Sequence, residues 1–421
     1  MIPRIGDYAQ FVGKNEVEKI KDIALKLEGK RIAHVNSAYS GGGVAEILNS
    51  LIVLTNKLGI EADWHLLAGS HSFFDVTKKF HNALQGEKIA ISNRQRKIYL
   101  DELERNALFH HFHDEDIVFI HDPQPLGMIK FVKKRQPWIW RCHIDIKHAD
   151  KLAWSYLGSF AKQYDGAIFT MRKYKRRDLE IPQFFIAPSI DPLSLKNKHL
   201  SDGEVEKILS REGISTSKPI ITQVSRFDKW KNPIGVLEIF RRVREREGAS
   251  LVLIGDMASD DPEGPGVYSR VVEQAKKMED VHIITKKDDM LVNALQRMSH
   301  VILQNSKREG FGLTVSEALW KETPVIGTKR GGIPLQVLHG KTGALVSNSR
   351  EAAEWCVKLL RDENLRLRMG REGKEHVRKN FLLPRQLFDY LKITEYYTAT
   401  IADDFAKVGR MMKGMLLRPS T

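Results

Sequence analysis

The strongest constraint on this chain is an alternation of short apolar runs with amphipathic stretches, repeated once before and once after residues 191–217. Arg31–Val35 reads as a buried parallel strand, and Val44, Ile47, Leu48, Leu51 and Leu58 then recur at helical spacing. Strand-like runs follow at 62–68, 116–120, 137–142, 165–169 and 183–187, with helical stretches at 74–84, 97–112 and 151–164. A second series starts at Ile220–Val224 and continues through strands at 250–254, 281–285, 301–304, 324–327 and 344–346. Strands alternating with helices predict doubly wound parallel sheets, in which the polar clusters after each strand gather at one edge. The expected organisation is therefore α/β. A first Rossmann-like domain spans residues 1–190, a linker 191–217, and a second Rossmann-like domain 218–385, the two facing across a cleft. Residues 386–407 are expected to return to the first domain.

The totals fit this division. A chain of 421 residues exceeds one ordinary core. Its net charge of +14 admits anionic partners, but the cations are scattered, which favours small phosphorylated ligands as much as nucleic acid. Two distant cysteines, Cys142 and Cys356, form neither a disulfide framework nor a zinc motif. No window reaches the roughly 18 to 20 apolar residues that cross a bilayer, and no leader-like segment opens the chain. A cytoplasmic protein without a membrane span is expected, and a homodimer is compatible with that reading.

Polar clusters stand where the strands end. Three glycines, Gly41, Gly42 and Gly43, separate the first strand from its helix, which lets a ligand approach the backbone and the free amides of a helix start. The Gly-x-Gly-x-x-Gly and P-loop patterns are absent. His121-Asp122 and His143-Ile144-Asp145 follow two other strands. In the second half Arg226 and Lys231 follow Ile220–Val224, and two cations there suit a diphosphate. The stretch Glu309-Gly-Phe-Gly-Leu-Thr-Val-Ser-Glu317 places one carboxylate before a helix and one inside it, which suits sugar or ribose hydroxyls. A solvated glycine turn and a solvated basic turn are the plainer readings of each cluster alone. Gly331-Gly332 ends another strand. His110, His111 and His113 read as a solvated helix end, and Trp138, Trp140 and Trp154 as core.

Taken in order, these motifs resemble the retaining glycosyltransferases of family 4, which have the GT-B fold. The first half, with His34-Val-Asn-Ser, Gly41-Gly-Gly-Val-Ala-Glu, His121-Asp-Pro-Gln-Pro and Trp140-Arg-Cys-His-Ile-Asp, resembles the trehalose glycosyltransferring synthases. The resemblance implies retaining transfer from a nucleoside-diphosphate glucose, UDP- or ADP-glucose, to glucose. It implies that Arg226 and Lys231 bind the donor diphosphate and that Glu317 holds the ribose. It places Glu309, with the Phe311-Gly312-Leu313 backbone, near the donor glucose and phosphate, and Gly42 and Gly43 near the phosphate. His143 falls near the transferred sugar, with His121, Asp122 and Asp145 as sugar or acceptor contacts. On this reading His143, Arg226, Lys231 and Glu309 are the catalytic set, with no acid/base carboxylate pair. No cofactor and no metal ligand is expected beyond the nucleotide sugar, and metal dependence stays open. The departures are Lys329 and Arg330 before Gly331, and Gln336 where many members carry glutamate. A sugar-phosphate acceptor, or a binding protein without turnover, are the alternatives.

Overall fold

The computed structural model describes residues 2–39, 42–255 and 264–399. Residues 400–421, including the basic and apolar stretch from 408, lie outside them, as do Gly41 and the end of the expected 386–407 return.

Two sheets form as the runs of branched apolar residues require, since strands covered on both faces read as continuous hydrophobic segments. The first comprises β1 (Arg31–Asn36), β2 (Glu61–Leu66), β3 (Ile117–His121), β4 (Trp138–Cys142), β5 (Gly166–Phe169) and β6 (Gln183–Phe185), ordered β2-β1-β3-β4-β5-β6. The second comprises β7 (Ile220–Val224), β8 (Ser250–Ile254), β9 (Val281–Ile284), β10 (Val301–Gln304), β11 (Val325–Thr328) and β12 (Gly343–Val346), ordered β12-β11-β10-β7-β8-β9. All pairings are parallel. Counted from its own first strand, the second sheet has the 3-2-1-4-5-6 order of a dinucleotide-binding fold, which opens a ligand crevice where the order reverses. That switch point falls between β7 and β10, and in the first sheet it falls between β1 and β3.

Contacts divide the chain into one unit that runs to Ala187 and resumes at Pro384, and a second from Pro188 to Leu383. Residues 191–217, expected as a connecting segment, pack into the second unit. They carry the helix Asp202–Arg211, with Leu200, Val205, Leu209 and Ile214 buried in a cluster that includes Leu291 and Leu295. Prolines and serines gave the stretch a linker's composition, but its apolar residues sit on one helix face. The return to the first unit is made by the helix Leu383–Thr398. Its Tyr390 is buried against His34 and Phe119, and the Tyr397 hydroxyl donates to Asp165 O at 2.8 Å.

The first core holds Trp138, Trp140 and Trp154, all at most 7% exposed. Cys142 and Cys356 are buried free thiols, and burial raises both pKa values. Among the described residues no helix is long and apolar enough to cross a membrane.

Candidate functional site

In the second unit, β7 delivers the chain to Ser225, and the following turn is built by Asp228. Its Oδ1 accepts from the amides of Trp230 at 2.8 Å and Lys231 at 2.9 Å, an Asx turn that reverses the backbone. Asn232 then takes a left-handed conformation, φ 55°, and Pro233 opens the helix Pro233–Arg244. Lys231 is thereby held at the switch point. Arg226, with its side chain 40% exposed, has Nη2 3.5 Å from Asp228 Oδ2.

The matching turn after β10 carries Glu309. Its Oε2 accepts from Lys231 Nζ at 2.6 Å, Gln304 Nε2 at 2.9 Å and Ser306 Oγ at 3.1 Å, and its side chain is 8% exposed. Desolvation pushes the Glu309 carboxyl up, but the Lys231 charge and these hydrogen bonds outweigh it and hold the group ionised, below its usual pKa. Among the described residues no hydrogen bond reaches Oε1.

Gly312 is left-handed, φ 84°, and caps the helix Leu313–Trp320, while Phe311 is buried beneath the turn. Gly331 and Gly332 press against that loop. A Cβ on Gly331 would lie 1.9 Å from Glu309 O, and one on Gly332 would lie 2.8 Å from the Phe311 Cα. Gln336 completes the clamp: its Nε2 donates to Phe311 O at 2.6 Å and its Oε1 accepts from Ser316 at 2.6 Å. An ionised carboxylate could not donate to Phe311 O, so glutamine suits both partners.

Glu317 is 1% exposed. Its Oε2 accepts from Gln296 at 3.3 Å, and Lys196 Nζ lies 3.7 Å from Oε1. It is an interior carboxylate with a cation beside it.

In the first unit the strand ends bring three histidines into line. His34 Nδ1 lies 3.0 Å from His121 Nε2, and His121 Nδ1 lies 3.0 Å from His143 Nε2. All three are buried, and desolvation lowers their pKa values, His34 to about 3. Neutral rings in such a row donate in one direction together, because the central His121 has one proton and two neighbours, and so donates to one and accepts from the other. Both ring nitrogens of His121, a residue expected at a sugar or acceptor hydroxyl, are engaged by the other two rings.

Asp122 stands at φ 63°, and its Oδ1 accepts from the His143 amide at 2.8 Å. Desolvation lifts its pKa to about 6, against the pull of that amide and of the buried Arg141. It therefore fixes the His143 backbone. Asp145 is partly buried, its Oδ1 accepting from Lys147 N at 3.0 Å. Gly42 caps the helix Gly43–Asn56, and both glycines are exposed. A Cβ on Gly42 would meet no atom within 4 Å, so packing does not demand glycine there.

A surface cavity of about 640 Å³, lined by Lys147, Lys151, Trp154, Lys162 and Arg176 among others, includes none of the expected site residues.

The residues that reading by motif missed are the supports: Asp228, Gln304 and Ser306 around Lys231 and Glu309, and His34 behind His121. An Asp before a turn was the one local signal available for Asp228.

The family described as "Trehalose synthase, N-terminal domain" matches residues 34–176, and "Glycosyl transferases group 1" matches residues 204–376. A trehalose synthase of Pyrococcus horikoshii is 45% identical over 396 residues, covering 93% of this chain and 95% of that protein. A trehalose phosphorylase of Grifola frondosa is 30% identical, covering 90% of this chain and 59% of that one. A structure of the UDP-forming α,α-trehalose-phosphate synthase from Burkholderia xenovorans in complex with glucose-6-phosphate superposes with a TM-score of 0.71. It is 13% identical and covers 87% of this chain and 100% of that one. Fold and motifs together define a glycosyltransferase of the GT-B class. Within that class the chain belongs to the trehalose synthase family.

Proposed function

We propose that the chain transfers glucose, with retention, from a nucleoside-diphosphate glucose to free glucose and so forms trehalose. The observation that carries this reading is the Lys231–Glu309 pair at the β7/β10 switch point, with Arg226 beside it. Lys231 and Arg226 bind the donor diphosphate. Glu309, with Oε2 occupied by Lys231, turns Oε1 to a glucose hydroxyl. Glu317 holds the ribose, and the amides from Phe311 to Leu313, with Gly42 and Gly43, meet the phosphates.

In the reaction the bond from the sugar C1 to the diphosphate oxygen breaks, and a bond from C1 to the acceptor hydroxyl oxygen forms on the same face. The acceptor proton passes to an oxygen of the departing diphosphate. Charge thus develops on the phosphates, where Lys231 and Arg226 stabilise it, an effect worth several kcal/mol. His143, Asp122 and Asp145 position the sugars, with Asp122 acting through the His143 backbone.

A matrix of UDP-, ADP- and GDP-glucose against glucose and glucose phosphates, read by mass spectrometry, tests the proposal. Trehalose from glucose is expected. A product formed only with a sugar-phosphate acceptor would replace this reading with the alternative, which exposed Lys329 and Arg330 favour. No product with any pair would leave a binding protein. A further arm with trehalose and inorganic phosphate tests phosphorolysis.

A further inference from the structure

Away from these residues, at the β2 edge of the first sheet, three ligand-type side chains converge. Asp63, His65 and Glu115 each place a ligand atom within 4.8 Å of the other two. Asp63 and His65 stand two apart on β2 and so leave the same face. His34 pairs with Trp64, one residue before His65, so this face is opposite to that of the histidine row.

The protons of the neighbouring rings can be placed. Leu66 O only accepts, so His110 Nε2, 3.2 Å away, carries that ring's proton. An imidazole in its neutral form carries one proton. His110 Nδ1 is then a bare acceptor, and His65 Nδ1, 3.3 Å from it, is the donor. His65 Nε2 is left as a lone pair. It is buried and has no hydrogen-bond partner among the described residues, and the same holds for Glu115 Oε2.

A bare imidazole nitrogen close to carboxylate oxygens is repulsive unless a proton or a cation lies between them. Arg31 reaches the gap only at long ion-pair distance: its Nη2 is 3.7 Å from Glu115 Oε1 and 4.0 Å from Asp63 Oδ2, and its Nη1 turns to Glu61 at 3.2 Å. Three carboxylates around one guanidinium leave an excess negative charge that a divalent ion balances.

We propose that Asp63, His65 and Glu115 bind a divalent transition metal, Zn²⁺ by its donor set, tying β2 to the segment before β3. One imidazole with carboxylates suits zinc, whereas Mg²⁺ and Ca²⁺ prefer all-oxygen shells. His110 is a positioning residue: it receives the His65 proton and so aims the opposite nitrogen at the metal, as ring partners of metal-bound histidines do.

The full chain, stripped with chelator and dialysed against Zn²⁺, Co²⁺ or Mg²⁺, tests this by metal content, Co²⁺ absorption and thermal midpoint. One tightly held Zn²⁺ or Co²⁺ per chain is expected, with a raised midpoint and no comparable Mg²⁺ uptake. His65→Gln and Glu115→Gln should each weaken binding at least about tenfold, and H111A/H113A, which removes the two exposed histidines, should not. If either buried variant fails to fold, Asp63→Asn serves, since that side chain is 55% exposed. Absence of stoichiometric binding, equal affinity for Mg²⁺, or loss of binding only in H111A/H113A would overturn the proposal.

Discussion

The Lys231 ammonium and the Glu309 carboxylate, 78 residues apart in the chain, meet at 2.6 Å. A cation expected at a diphosphate and a carboxylate expected at a sugar are thus one interacting pair. The lysine holds Glu309 ionised, and Glu309 holds the lysine in place for a phosphate.

The pairing makes Lys231 a structural as well as a functional residue. Lys231→Ala leaves Glu309 buried without its cation, which costs about 3–5 kcal/mol where a pair is fully buried and less here. Turnover should fall about 10²- to 10³-fold, with a lowered melting temperature. Lys231→Met with Glu309→Gln should recover much of the melting temperature and none of the activity. A single variant with unchanged turnover sinks the diphosphate assignment.

Gly331 offers a purely steric test. Alanine there meets Glu309 O at 1.9 Å and must adopt φ 53°. Gly331→Ala should destabilise the chain by about 2–4 kcal/mol through clash and strain, or displace the Glu309 turn with a rise in donor KM. Calorimetry and kinetics together read both. An unaffected variant would mean that the clamp does not set the loop.

The histidine row was not legible in the sequence, although the strands that build it were. His34, His121 and His143 lie far apart, and only the register of β1, β3 and β4, with His34 beside Phe119 and His121 beside Arg141, stacks them. The glycine turns and the strand-end cations were legible because such residues at strand ends have few other uses. The partners of Glu309 were not, since Gln304 and Ser306 carry no pattern of their own. The 191–217 segment misled because composition speaks before packing does.

Acting through His143, His121 should reveal itself in rate more than in affinity. His121→Phe, which keeps a flat ring and removes the relay, should lower kcat about 10- to 100-fold, by analogy with ring-orienting partners elsewhere. Donor KM should stay near its original value. Partial restoration by His121→Asn would mark the hydrogen bonds as the cause. A change in KM alone would contradict a positioning role.

Acid should loosen the first unit. The three buried histidines have folded pKa values below the ordinary 6.5, His34 near 3. As pH falls below 6.5 the unfolded chain takes up protons that the folded chain refuses, so stability falls. Asp122 acts oppositely: its folded pKa, about 6, lies above the ordinary 3.8, and it offsets part of the loss below pH 6. Urea midpoints should therefore drop from pH 7.5 to pH 5. His34→Phe should shallow that slope by about one proton. A flat profile would show that the rings are charged in the folded state.

The helix Leu383–Thr398 completes the first unit, yet it is among the last of the described residues to leave the ribosome. Between the two parts of that unit lies the second unit, whose ends adjoin: Ile190 bridges Leu382, and the Leu383 amide donates to Ile190 O at 2.9 Å. During synthesis, then, His34 and Phe119 wait with an uncovered apolar face until Tyr390 arrives. The inserted domain, with its ends already joined, is free to fold first.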